Sequence, residues 1–153
     1  MESIDDMRNL REFKTCHHNE LPMNFPISDQ GFEHQYTFLM SNAAKKAIGL
    51  IIEEPSLVRI VLNPHNPKNK VMAQLVHSDV EEKGTPIGVT SATHNSMMVT
   101  IDPSRKPYIV RIVQSDLDTS DPCPVFDFHI SVKPLQYVVW ENLMCHGYQL
   151  PPT

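Results

Sequence analysis

The chain has 153 residues, of which 41% are hydrophobic and 20% are charged, and its formal net charge is -5 at pH 7. This balance is typical of a single domain that folds in water, and it excludes both a mainly disordered chain and a chain dominated by long apolar spans. Because Lys and Arg are few and scattered in an acidic chain, we expect no nucleic-acid partner and no membrane insertion.

The first predicted element is a short amphipathic helix over residues 3–13. Apolar residues recur there three apart behind Ser3, and Asp6 lies three residues after Ser3, which is the spacing of a capping box. Residues 17–31 contain two prolines, a glycine and several polar residues, so an irregular lead-in is expected. The chain is accordingly divided into three segments: helix and lead-in (1–31), a β-sandwich domain (32–143) and a C-terminal tail (144–153).

The central segment is predicted to consist of short strands separated by turn residues. The extended runs are rich in β-branched and aromatic residues, and the prolines fall between them. Residues 41–52 are ambiguous, because Ala and Lys favour a helix there whereas Gly49 and the flanking strands favour a sheet. The predicted strands are 34–40, 56–63, 70–77, 87–92, 96–102, 107–115, 125–133 and 136–141, with 48–52 as a further candidate.

The clearest strand signal is an alternation of apolar and polar residues late in the chain. Such an alternation places one set of side chains in the core and the other in solvent. In the last long strand the apolar set is Phe126, Phe128, Ile130 and Val132, and the polar set is Asp127, His129, Ser131 and Lys133. In the strand before it, Tyr108, Val110 and Ile112 alternate with Ile109, Arg111 and Val113. These patterns predict an all-β fold, an antiparallel β-sandwich of jelly-roll type with a short N-terminal helix.

The order of the strands from Gln35 to Leu135 resembles the bacterial pre-peptidase C-terminal domains, which are β-sandwich modules appended to secreted peptidases. The segments "YIVRI" and "FDFHI" occupy the places of that family's Tyr-x-Val-x-Ile-like strand and its closing Tyr-x-Phe-x-Ile-like strand. The resemblance implies one module of a larger secreted protein. The family's Asp-x-Asp-Leu stretch is replaced here by "KNKVMAQL", so its calcium-binding and collagen-binding roles are not carried over. A calpain-type β-sandwich has a similar pattern.

Three aspartates, Asp116, Asp118 and Asp121, fall in the connection between two predicted strands. Calcium needs about six to eight oxygen ligands, and closely spaced acids in a loop could supply several of them. The segment lacks the glycine and the final glutamate of an EF-hand, and Asp and Ser are ordinary turn residues. We therefore predict a solvated turn with no metal and no cofactor, and we keep the three aspartates as the alternative cation site.

The three cysteines leave the redox state open. In an oxidising compartment we prefer a disulfide between Cys123 and Cys145, because these residues bracket the last strands, and Cys16 would remain a thiol. In a cytoplasmic protein all three would be reduced. The histidines next to Cys16 and Cys145 would then allow a zinc or ligand site where the two chain ends meet.

Catalytic motifs are missing from the sequence, which contains no Gly-x-Ser-x-Gly, no His-Glu-x-x-His and no Gly-rich phosphate loop. Ser91, Thr93 and His94 contain the groups of a nucleophile and a base, but their spacing is more simply that of a hairpin turn. We predict no catalytic residues and no enzyme. The predicted function is a noncatalytic module that binds a protein or glycan, for example in adhesion, within a larger secreted or cell-surface protein. The alternative is a small intracellular domain with a metal or ligand site at the Cys and His cluster.

Overall fold

The computed structural model describes Cys16 and residues 20–27, 30–40, 45–79, 85–91 and 93–138. Within these residues the chain forms eight β-strands and one 3-10 turn, and it forms no α-helix. The helix predicted over residues 3–13 lies outside them. No helix in this part of the chain is long and apolar enough to cross a membrane. The strands are β1 (Phe32–Leu39), β2 (Lys45–Leu50), β3 (Ser56–Pro64), β4 (Lys70–His77), β5 (Gly88–Val89), β6 (Ser96–Ile101), β7 (Tyr108–Asp116) and β8 (Val125–Pro134).

The strands form two antiparallel four-stranded sheets. The first sheet has the order β1-β8-β3-β6, and the second sheet has the order β2-β7-β4-β5. Successive strands alternate between the sheets except at β4 and β5, which are neighbours in the second sheet. This is the arrangement of a jelly roll, and it confirms the predicted all-β sandwich.

The core lies between the two sheets and is built from alternate residues of the long strands. The apolar set predicted in β8 is buried, since Phe126, Phe128 and Ile130 are 0% exposed and Val132 is 5% exposed. Burying one large aliphatic or aromatic side chain stabilises a fold by about 1.5–3 kcal/mol. The largest fully buried side chains are Phe38, Met40, Ile48, Leu50, Val58, Ile60, Leu75, Val110, Ile112, Phe126, Phe128 and Ile130.

The ambiguous segment near residue 48 is a strand. Residues Ile48 and Leu50 of β2 are buried in the core, and this burial outweighs the helix propensity of the neighbouring Ala and Lys residues. In contrast, the strand predicted over 136–141 is wrong in its described part. Leu135–Tyr137 form a 3-10 turn, in which the N–H of Val138 donates to the carbonyl oxygen of Leu135.

A short piece of the lead-in adds to the edge of the second sheet. The N–H of Gly49 donates to the carbonyl oxygen of Met23, and the N–H of Phe25 donates to that of Gly49, both at 2.9 Å. A Cβ atom at position 49 would collide with the side-chain oxygen of Asn24, so a larger residue there would require the Asn24 side chain to move. Phe25 turns into the core, where its ring stacks on Phe128 with centroids 6.2 Å apart.

A disulfide joins Cys16 to Cys123 across a sequence separation of 107 residues. The preferred pairing of Cys123 with Cys145 is therefore corrected, because the sulfur of Cys123 is already bonded. Bracketing the last strands in sequence does not make two residues neighbours in space, whereas the fold brings the Cα atoms of Cys16 and Cys123 to 5.7 Å. Cys145 lies outside the described residues.

Candidate functional site

The outer face of the first sheet is mainly polar. This is the usual pattern of an antiparallel sheet that has one face on the core and one in water. Its rows in register across β1, β8, β3 and β6 include Glu33–Ser131–Arg59–Met98 and Gln35–His129–Val61–Ser96, with the shorter rows Thr37–Asp127–Asn63 and Lys133–Leu57–Thr100 on either side.

Several polar side chains on this face satisfy one another. Asp127 accepts hydrogen bonds from Thr37 at 2.8 Å and from His65 at 3.0 Å, and His129 lies 2.7 Å from a carboxylate oxygen of Glu33. Partial burial acts to raise the pKa of Asp127, but the bonds from His65 and Thr37 outweigh it and hold the pKa below its ordinary value. These polar side chains of the first sheet thus have partners within the protein.

The outer face of the second sheet is mainly apolar. In β7, Ile109 and Val113 alternate with the core residues Val110 and Ile112, so they point away from the core. Their register partners on β2 and β4, and the residues of β5 that pair with this outer set of β4, lie on the same outer face. Ile87 extends this face beside β4, where its N–H donates to the carbonyl oxygen of Leu75. We call the following side chains the apolar face: Ala47, Met72, Val76, Ile87, Val89, Ile109 and Val113.

The apolar face runs continuously across the sheet. Ile109 is the register partner of Val76, and Val113 is the register partner of Met72. Val76 is only 2% exposed, and Met72, Ile109 and Val113 are half-buried, so this part of the face is already partly covered within the protein. At the β5 side, Ile87 is 41% exposed and Val89 is 42% exposed. Single exposed aliphatic residues are common on protein surfaces, but a group of them in register on one sheet face is typical of an interaction surface.

The described charged side chains of this face are Lys45 and Arg111 on β2 and β7 and, at one end of β4 and β7, the register pair Lys70 and Asp116. Lys45 lies opposite Val113, and Arg111 lies opposite Ala47, so the two cations are diagonal neighbours on adjacent strands, about 7–8 Å apart at the Cα atoms. Neither cation forms an ion pair with a carboxylate in the described part of the chain.

The three aspartates after β7 are used in different ways. Asp116 ends β7, opposite Lys70 of β4. Asp118 accepts hydrogen bonds from the hydroxyl and the backbone N–H of Ser120, at 2.7 and 3.0 Å, and these bonds hold its pKa below the ordinary value. Asp118 also donates its own N–H to the side-chain oxygen of Asn69 at 2.7 Å. The predicted turn is thus closed by its own hydrogen bonds.

Asp121 joins two loops. One of its oxygens accepts from the side-chain amides of Asn69 and Asn66 at 2.8 and 3.1 Å, and the other accepts from the N–H of Cys123 at 2.9 Å. These donors occupy the carboxylate on both oxygens, so Asp121 acts as a structural link between the β3–β4 and β7–β8 connections. In the part of the chain that the structure covers, no group of three or more His, Cys, Asp or Glu is placed to hold a metal ion.

The link made by Asp121 predicts a loss of stability. Asp121→Ala should lower the free energy of unfolding by about 1–3 kcal/mol, because the side-chain amide of Asn69, a residue only 1% exposed, loses its acceptor. Urea denaturation measures the change. Thr119→Ala, an exposed site in the same loop, is the matched control and should change stability by less than about 0.5 kcal/mol. Equal effects of the two substitutions would contradict the structural role of Asp121.

The remaining candidate residues from the sequence are the segment 91–94 and the cysteines with their neighbouring histidines. Ser91 and His94 form a turn, in which the N–H of Ser91 donates to the carbonyl oxygen of His94 at 2.7 Å and the N–H of His94 donates to the hydroxyl of Ser91 at 3.1 Å. The sulfur of Cys16 is in a disulfide and is not a thiolate ligand. The remaining members of the Cys and His cluster, at positions 17, 18, 145 and 146, lie outside the described residues.

The comparisons with known proteins concern the fold. No protein-family model matches the sequence, and no curated protein sequence matches it. Among solved structures, the chain is similar to PliG of Aeromonas hydrophila, a periplasmic inhibitor of g-type lysozyme, with a TM-score of 0.55. The two sequences are 7% identical, and the match covers 72% of this chain and 95% of that chain. At this identity the match shows a shared fold.

Two further structures give lower scores. The pre-peptidase C-terminal domain of collagenase from Bacillus anthracis has a TM-score of 0.48 and 9% identity, over 73% of this chain and 99% of that chain. PliG of Salmonella Typhimurium has a TM-score of 0.45 and 9% identity, over 72% and 96% of the two chains. The first of these two structures belongs to the pre-peptidase C-terminal domains, the family that the sequence resembles.

Proposed function

We propose that this chain is a noncatalytic β-sandwich module that binds another protein through the apolar face. The observation that carries the proposal is the contrast between the two outer faces. The first sheet presents polar side chains that bond to one another, whereas the second sheet presents aliphatic side chains in register. Covering these aliphatic side chains with a partner would remove apolar area from water, which is the main driving force of protein association.

A protein fits the apolar face better than a glycan does. Sugar hydroxyls require hydrogen-bond donors and acceptors at the binding surface. Among the described residues, the outward polar side chains of the apolar face are Gln74 and Arg111 in the central row and Lys45, Lys70 and Asp116 at one end of the sheet. Aliphatic side chains of a protein partner pack on such a surface without leaving polar groups unpaired.

The setting that we propose is an oxidising one, in a secreted or cell-surface protein. The disulfide between Cys16 and Cys123 supports it, because such bonds persist mainly outside the cytoplasm. PliG, which shares the fold, is a periplasmic inhibitor of another protein and so provides an example of a protein-directed role. A shared fold does not establish a shared function, so the proposal depends on the apolar face itself.

The experiment uses binders selected against the native protein from a displayed library of short random peptides. The binders should lose affinity at least about tenfold for Val113→Glu, because a charge would be buried at the centre of the contact. Arg59→Glu, at a central strand of the polar face, is the matched control and should leave affinity unchanged. Binders that tolerate Val113→Glu would overturn the proposal.

The stability of the same variant tests the competing explanation, that the chain's own residues cover the apolar face. Val113 is half-buried, so for a face without further cover Val113→Glu should lower the free energy of unfolding by no more than about 1 kcal/mol, the centre of the range for single substitutions. A loss of more than about 2 kcal/mol would indicate a face that is already buried, and it would assign the aliphatic side chains to folding.

A further inference from the structure

We infer that the partner of the apolar face carries carboxylates next to its aliphatic side chains, and that it is a different protein and not a second copy of this chain. The inference rests on the proposed function and adds the charge of the partner. It depends on the position of the cations in β2 and β7, which the protein-binding role alone does not specify.

The first step is the local sign of the charge. The whole chain is acidic, with a formal net charge of -5, yet Lys45 and Arg111 stand on the apolar face without a carboxylate partner among the described residues. Of the three acidic side chains that the structure describes within the strands, only Asp116 shares the outward parity of this face, through its pairing with Lys70. Glu33 and Asp127 are on the outer face of the first sheet, and Asp116 is at the end of β7, opposite Lys70. The apolar face is therefore a basic patch on an acidic protein.

The second step is the arrangement of the two cations. As diagonal neighbours they repel each other weakly in water, and an apolar partner that excluded water would strengthen this repulsion and leave both charges unpaired. A partner carboxylate placed between Lys45 and Arg111 would remove both costs. The guanidinium of Arg111 can also bind such a carboxylate through two parallel hydrogen bonds.

The third step weighs against self-association. Two copies packed with their apolar faces together would bring three cations of each copy, Lys45, Lys70 and Arg111, into one interface with a single described acid of each copy, Asp116, which already lies opposite Lys70. Such like-charge contacts disfavour the wrong partner. Charge complementarity thus favours an acidic partner over a second copy.

The test is a selection of displayed random peptides on the native protein and on the charge-reversed variant Lys45→Glu/Arg111→Glu. Peptides selected on the native protein should be enriched in Asp and Glu beside aliphatic residues, and they should bind the reversed variant at least about tenfold more weakly. Their dissociation constants should rise when salt is increased from about 50 mM to about 500 mM, because the screening length falls from about 14 Å to about 4 Å. The reversed variant should select peptides enriched in Lys and Arg.

The outcomes separate the two proposals. Peptides that depend on Val113 but are neutral or basic, or whose binding does not change with salt, would overturn the acidic partner and leave the protein-binding role intact. Peptides that are insensitive to Val113→Glu, or a selection that enriches none, would overturn both. Arg59→Glu should bind the acidic peptides as the native protein does. A concentration-dependent dimer in analytical ultracentrifugation that Val113→Glu dissociates would assign the face to a second copy instead.

Discussion

Replacing Phe128 by alanine should lower the free energy of unfolding by about 3–5 kcal/mol, the range for removing a buried aromatic side chain. Phe128 is 0% exposed in the centre of the first sheet, and its ring contacts those of Phe25, Tyr36 and Phe38 at centroid distances of 6.2, 6.3 and 6.5 Å. The substitution removes the transfer free energy of the ring and leaves a cavity that rigid strands cannot close. Urea or guanidinium denaturation measures the loss.

The control lies one residue further along the same strand. His129→Ala removes a 2.7 Å side-chain contact with Glu33 on the solvated face, and exposed contacts of this kind contribute at most about 1 kcal/mol. The two substitutions should therefore differ severalfold in their effect on stability. Similar effects at Phe128 and His129 would mean that the inward and outward faces of β8 are wrongly assigned.

The strands of this fold could be predicted because their local pattern and their burial agree. In β8, the period-two alternation alone identifies Phe126, Phe128 and Ile130 as core residues, and all three are buried. The β2 segment could not be assigned in the same way. Its Ala and Lys residues favour a helix, and only the packing of Ile48 and Leu50 against the other sheet decides for a strand.

The sequence contains part of the signal for the apolar face, but that part alone does not identify a binding surface. Both parities of β7 are apolar, with Val110 and Ile112 on one face and Ile109 and Val113 on the other, which is the signal of a strand covered on both sides. The rest of the face requires the strand order. The pairing of β7 with β2 and β4 places Met72 and Lys45 beside Val113, and no local pattern predicts such pairing between distant segments.

The disulfide was predicted with the wrong partner for the same reason. Cys123 and Cys145 flank the last strands in sequence, but the position of a lead-in residue in space depends on what the lead-in packs against. Here Phe25 enters the core and the backbone of Met23 pairs with Gly49, so residues 23–25 are fixed along the sandwich, and Cys16 lies beside Cys123. The disulfide partner of Cys123 therefore depends on tertiary contacts of single residues, which no local sequence pattern shows.

The variant Cys16→Ser/Cys123→Ser should be less stable than the native protein by about 2–5 kcal/mol. In the chain-entropy model, a bond that closes a loop of about 100 residues restricts the unfolded chain by about 4.7 kcal/mol, and measured losses fall at or below that value. The sequence separation of 107 residues places this bond at the long end of the range. Denaturation of the oxidised native protein and of the double variant measures the difference.

Cys145→Ser is the matched control for the disulfide, because the structure assigns the bond to the other two cysteines. This variant should unfold like the native protein, and thiol titration should fall from one free thiol to none. Peptide mapping without reductant should recover a fragment that joins Cys16 to Cys123. A fragment joining Cys123 to Cys145, together with a loss of stability in Cys145→Ser, would contradict the bond. Three free thiols in the native protein would instead support a reducing compartment, and the proposed secreted setting would then be wrong.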